Sequence, residues 1–267
     1  MLSGHGWQVA PSTYYDARNR AQNRRQARDD ELVERMAQIR GAKPFTRRFG
    51  ARKMWLHLRS RYGMDVARCT IERLYRRQGW VGALRQARVR TTIADQQAPR
   101  AEDLVDRRFW APAPNRLWCA DFTYIKTRSG TVYTAFVIDV FSRRILGWKT
   151  DTTMTTSLVL DTLDMALNTR TNQGTSDMNG LIHHHDAGAQ YTSITFTERL
   201  AEAGIDASVG SLADAYDNAL AESTIGLYKT ELIDIDGPWN GHGDVELATM
   251  QWVHFFNHDR PHESIDD

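Results

Sequence analysis

Apolar residues recur every three to four positions early in the chain and follow a strand-like pattern further on, and that change divides it into two kinds of structure. Leu32, Val33, Met36 and Ile39 share one face of a predicted helix over 32–39. After a break at Gly41 and Pro44, Ala51, Met54, Trp55 and Leu58 repeat the spacing, with Tyr62 one turn further on. Gly63 is placed to end this second helix, because glycine readily takes the left-handed conformation found there. Met64-Asp65-Val66 then leads to a third helix with apolar Ala67, Ile71, Leu74 and Tyr75, whose other positions include Arg68, Arg73, Arg76 and Arg77. Helix, tight turn and arginine-rich helix outline a helix-turn-helix, although an ordinary helical hairpin has the same periodicity.

Residues 85–100 are polar and basic without a period and end at Pro99, with Pro112 and Pro114 following, as in a linker. From Leu117 the pattern is that of strands, over 117–127 and 131–140, flanking the hairpin signal Arg128-Ser129-Gly130. A third strand is expected over 144–150, then a helix over 155–169 with Val159, Leu163, Ala166 and Leu167 inward. Strand 181–185, helix 194–203, strand 206–209 and a long helix over 215–232 follow. A last amphipathic helix over 245–257 carries Ala248, Trp252, Phe255 and Phe256. Three sequential strands followed by alternating helices and strands make an α/β layer architecture. The expected organisation is a basic helical region over 1–95, a linker over 96–114, an α/β core over 115–236 and a helical extension over 237–267.

Charge sharpens this division. The net charge of +1 conceals 21 Lys and Arg against 8 Asp and Glu in residues 1–95, an excess of +13, and a balance of −12 in the remainder. A basic helical region beside an acidic core suits a DNA-binding module joined to a metal-dependent one, while a solvated basic surface is the plainer alternative. Cys69 and Cys119 lie in different predicted regions and suggest neither a disulfide framework nor a zinc site. The sequence shows no signal peptide and no apolar run of membrane-spanning length, so the expected location is the cytoplasm.

Three acids are the candidate chemistry. Asp121 interrupts a strand built from Leu117, Trp118, Phe122, Tyr124 and Ile125, where a carboxylate must be paired, protonated or bound to metal. Asp186 follows the apparent strand of LIHHHDAGAQYTS, and Glu222, separated from it by 35 intervening residues, falls in a helical stretch. Brought together they form a hard, oxygen-only ligand set suited to Mg²⁺ or Mn²⁺ and to phosphoryl transfer on nucleic acid. Spacing alone decides little in a chain with 33 Asp and Glu. Asn218 falls one turn before Glu222 on the same helical face, and Lys229 two turns after it. Asp214 and Asp217 stand near the helix start, where capping is the commoner role. His183, His184 and His185 look like a transition-metal cluster, but strand alternation sends His184 to the opposite face.

The stretches around these acids, WCADFTYIKT…GTVYTAFVIDVFSRRILGW, LIHHHDAGAQYTS and ASVGSLADAYDNALAESTIGLYKTELI, closely resemble the catalytic core of bacterial insertion-sequence transposases. The resemblance is to the second-frame (OrfB-type) product of the IS-three family, relatives of retroviral integrases. It extends from PSTYYDARNR to WVHFFNHDRPHES. It implies a ribonuclease-H-like integrase core with a mixed five-stranded sheet between helices, preceded by the all-α helix-turn-helix-like domain. It also implies that Asp121, Asp186 and Glu222 are the catalytic and metal-binding triad, holding two Mg²⁺ or Mn²⁺ ions, and that Lys229 contacts a phosphate near the scissile bond. The activity implied is DNA cleavage and strand transfer at the ends of an insertion sequence through a circular intermediate. The implied partners are double-stranded DNA, further copies of the chain, and a first-frame (OrfA-type) product or a frameshift fusion to it. Asn218, Arg68, Arg73, Arg76 and Arg77 become candidate DNA contacts. Relatives usually carry Ser at the position of His185, where a cationic imidazole would compete with metal, and Tyr at that of Phe49; they generally continue for a short segment beyond the last motif. A ribonuclease-H-like nuclease without strand transfer and an inactive DNA-binding remnant are the alternatives.

Overall fold

Each predicted apolar face finds a partner in the computed structural model, which describes residues 12, 13, 15, 24–83, 101–105, 108–175, 177–210 and 218–262. The chain forms two compact units, Met1–Gly82 and Ala83–Asp267. In the first, helices α1 (Arg24–Ala42), α2 (Ala51–Tyr62) and α3 (Arg68–Arg77) enclose Leu32, Met36, Ile39, Met54, Leu58, Ile71 and Leu74. Gly63, at φ 60°, ends α2 as the sequence suggests, its N–H bonding to Leu58 O. Two expected inward positions differ. Tyr62 is 47% exposed, lying under the guanidinium of Arg35, and Val66 takes the buried place expected of Ala67, which is exposed as the N-cap of α3.

The second unit is built on a five-stranded mixed sheet in the order β3 (Ile145–Asp151), β2 (Gly130–Asp139), β1 (Leu117–Thr127), β4 (Ile182–His185) and β5 (Asp206–Val209). The first three strands pair antiparallel, while β4 and β5 join parallel to β1. The parallel pairings need crossovers, supplied by α4 (Thr156–Asn172) and α5 (Ile194–Glu202). Trp118, Ala120, Val137 and Leu146 meet Val159, Leu163, Ala166, Phe196 and Leu200 from those helices in the main core. A side chain at Gly147 would strike Thr162 O, and this glycine is what lets α4 lie directly on β3. Helix α6 (Ala219–Tyr228) and α7 (His242–His258) bring Tyr228 and Trp252 edge-on to Phe136 of β2.

The long helix expected over 215–232 is not one helix. Residues 211–217, including Asp214 and Asp217, lie outside the described residues. α6 opens after Tyr228 into a π turn over Lys229–Ile233, where Glu231 is drawn into a buried ion pair with Arg260. Another buried pair escaped the sequence reading. Asp139, fully buried, accepts bonds from Arg170, from the Asn115 N–H before β1, and from the N–H and hydroxyl of Ser142 in the β2–β3 turn. Four donors offset the desolvation of that carboxylate and fasten the entry to β1.

Candidate active site

Three elements carry the three acids. Asp121 and Asp186 each lie two residues beyond Cys119 and His184, the last paired positions of the parallel neighbours β1 and β4. Both acids thus lie just past the end of the parallel β1–β4 pairing, the side on which α/β sheets place ligands, although β1 itself runs on to Thr127. Glu222 stands in the first turn of α6, where the helix dipole favours a carboxylate. Asn218 caps that helix. Its Nδ2 donates to Ala120 O at 2.8 Å, one residue before Asp121, and its own carbonyl accepts the Glu222 N–H at 3.0 Å. Asn218, which the sequence offers as a DNA contact, is 7% exposed and ties the Glu222 helix to the Asp121 strand.

The electrostatics record the convergence. Burial pushes the Asp186 carboxyl above its usual range, and the charge of Glu222 pushes it further, while the Gly188 N–H at 3.1 Å opposes both. The Tyr191 hydroxyl is held well above its ordinary pKa by burial first and then by Asp121 and Asp186. Asp121 Oδ1 accepts the Phe122 N–H at 2.8 Å. Among the described residues, no three His, Cys, Asp or Glu side chains are close enough to hold an ion as they stand. Asp186 feels the charge of Glu222, and the Tyr191 hydroxyl feels those of Asp121 and Asp186.

The histidines divide as strand alternation requires. His184 bonds Ser208 at 2.9 Å, whereas His183 and His185 pack on Phe196, and His185 also stacks on Tyr191. Burial pushes His185 down to about 4, and its Nδ1 bonds Asp186 O at 2.8 Å. It is therefore uncharged at neutral pH, and the competing cation expected from sequence does not arise. His183 is also fully buried and lowered well below 6.5, chiefly by desolvation. Its folded pKa lies below its unfolded one, so its contribution to stability is present above about pH 6.5 and is lost as pH falls below it. Between pH 7.5 and 5 the unfolded chain gains this proton and the folded one does not, a loss of up to about 2 kcal/mol. His183→Leu removes that increment, and urea midpoints at the two pH values will show whether acid sensitivity is reduced.

Lys229 closes α6, its Nζ 4.9 Å from the centre of the Tyr124 ring in β1. The arginines of α3 are more engaged than sequence suggests. Arg73 forks onto Asp29 of α1 at 2.8 and 2.9 Å and holds that carboxyl below its usual range. Arg77 reaches Asp30 at 3.4 Å, Arg68 pairs with Glu72 at 2.7 Å, and Arg76 Nε lies 3.4 Å from Glu72 O.

Family models match this geometry. An integrase core domain covers residues 111–214, an HTH-like domain 27–88, and a second integrase core model 203–267. The transposase for insertion sequence element IS629 of Shigella sonnei is 44% identical over 257 residues, covering 94% of this chain and 83% of that protein. A protein of insertion sequence element IS986/IS6110 from Mycobacterium tuberculosis strain H37Rv is 53% identical over 259 residues, 97% of this chain and 92% of its own length. The chain belongs to the insertion-sequence transposases. It is a polynucleotidyl transferase of the DDE class, and its function is DNA transposition and integration. The transposase also has a distant likeness to the solved HTLV-2 integrase catalytic core domain in complex with magnesium. That likeness has 19% identity, spans 58% of this chain and 93% of that one, and has a TM-score of 0.42. Among the described residues, no helix is long and apolar enough to cross a membrane.

Proposed function

We propose that Asp121, Asp186 and Glu222 are the catalytic triad of this transposase and hold two Mg²⁺ or Mn²⁺ ions during cleavage and joining of DNA ends. The observation that carries this reading is Asp186, whose carboxyl is destabilised as an anion by burial and by Glu222. An oxygen-only set under repulsion fits a hard divalent cation, which relieves the repulsion without a protein counter-charge. Bound there, divalent ions supply activation of a water or 3′-hydroxyl nucleophile and stabilisation of the leaving oxygen.

The protein's own groups orient that set. The Gly188 N–H fixes one oxygen of Asp186, and a side chain at Gly188 would come within 3.0 Å of that oxygen. Asn218 holds the first turn of α6 against β1. Lys229, on the same side of the helix as Glu222, supplies a positive charge for the phosphate beside the scissile bond. The first unit binds the element ends as duplex DNA, with Arg68, Arg76 and Arg77 as contacts. Arg73 holds α3 to α1 and adds charge from the rim. Action on two ends at once calls for more than one copy of the chain, with a first-frame product or a fusion to it adding DNA-binding surface.

A metal titration tests the centre of this reading. Mn²⁺ raises the melting temperature of the wild type, because a ligand at about 100 times its Kd adds about 2.7 kcal/mol. Asp186→Asn without metal is as stable as the wild type or more so, since one repelling charge is gone, yet it loses the Mn²⁺ response. Equal Mn²⁺ shifts in the wild type, Asp121→Asn, Asp186→Asn and Glu222→Gln would place the ion elsewhere.

A further inference from the structure

The motif WVHFFNHDRPHES at the end of the chain has no part in the triad, yet its arginine reaches the far end of the triad helix. Arg260 Nε lies 3.2 and 3.3 Å from the two oxygens of Glu231, and the Trp252 Nε1–H donates to one of them at 3.3 Å. The side chains of this pair are 8% and 6% exposed. The Arg260 guanidinium also lies over the Phe256 ring, 5.3 Å from its centre. A pair so buried forfeits the hydration of two ions, and well-packed apolar side chains of similar volume usually stabilise as well or better. Stability alone does not explain it.

Its location does. The Lys229 N–H still bonds to Ile225 O and Gly226 O, so Lys229 keeps its helical phase, seven residues after Glu222 and about 20° from it around the axis. Glu231, nine residues after Glu222, falls on roughly the opposite side. There the backbone widens into the π turn, which carries the Glu231 carboxylate to Arg260 and Trp252 at the C-terminal part of α7. π turns of this kind recur at functional positions because they re-aim neighbouring side chains. Tyr228, between the two, anchors the helix through Thr249 at 2.6 Å, but a tyrosine hydroxyl leaves the rotation of the following turn unspecified. The ion pair specifies it.

We propose that Glu231 and Arg260 are positioning residues for strand transfer. Pulled from behind, the end of α6 holds Lys229 beside β1, on the Glu222 side, ready for the phosphate of the DNA end. This rests on the role given to Lys229 above.

The test uses the full-length protein and end-labelled duplex oligonucleotides carrying the element's terminal repeats, with initial rates followed against DNA concentration. Lys229→Ala and Glu231→Gln each raise KM for the ends about tenfold with a smaller change in kcat, since misplacing a binding group by a fraction of an ångström is felt on that scale. The double variant Glu231→Leu/Arg260→Met recovers the wild-type melting temperature while KM stays raised; recovery of KM with stability would overturn the positioning role. This double variant carries the test even where Glu231→Gln folds poorly. In a Lys229→Ala background, Glu231→Gln adds no further rise in KM, because both act through one contact. An additive rise, or no rise from Glu231→Gln alone while Lys229→Ala has its effect, refutes the positioning role of Glu231 and Arg260 and spares Lys229. No effect of Lys229→Ala refutes the reading of Lys229 itself.

Discussion

Glu222→Gln eliminates both DNA cleavage and strand transfer while leaving the protein folded and bound to DNA. The substitution keeps side-chain size and hydrogen-bonding capacity in the first turn of α6 but removes the charge that completes the proposed ligand set. Catalysis of phosphoryl transfer by this fold depends on positioning and charge stabilisation, so the loss is on the order of 10³-fold or more. Stability changes in the opposite sense or not at all, because the Glu222 charge raises the energy of the buried Asp186 anion. DNA affinity persists or rises slightly with one negative charge fewer beside the phosphates. The measurements are a gel assay for cleaved and joined products, a melting curve and a filter-binding isotherm on the same preparation. Near-normal strand transfer would remove Glu222 from the triad and turn attention to Asp214 and Asp217.

The second large effect is on DNA binding. The excess of 21 basic over 8 acidic residues in 1–95 predicts that affinity for duplex DNA falls steeply with salt. Six phosphate contacts correspond to a loss of about 10³-fold between 50 and 200 mM salt. Within α3 the arginines separate by role. Arg76→Ala lowers affinity and flattens the salt slope by about one unit without altering the melting temperature. Arg73→Ala also lowers the melting temperature, because Asp29 is left nearly buried without its fork of hydrogen bonds. A combined Arg68, Arg76 and Arg77 alanine variant that binds DNA like the wild type, with an unchanged salt slope, would reduce α3 to a structural helix.

The apolar periodicity by itself determined the order of the helices and strands and the limits of some of them. β5 at 206–209 and α2 up to Gly63 are examples, because a half-buried element must repeat its buried positions with its own geometric period. The family was legible for another reason: Asp121, Asp186 and Glu222, the triad proposed above, sit in local sequences whose combination belongs to one family of enzymes. Nothing local announces the buried partners. Asp139 and Arg170 lie 31 residues apart and Glu231 and Arg260 29, and each charge reads as an ordinary surface residue until the fold removes water from both partners at once. The same holds for His185, whose neutrality follows from complete burial rather than from its neighbours in sequence. The chain's pattern determined which residues face inward, but only the tertiary structure decided which charges meet there and how α6 is turned. Desolvation and ion pairing depend on everything that surrounds a group in space, and adjacency along the chain carries almost none of that information.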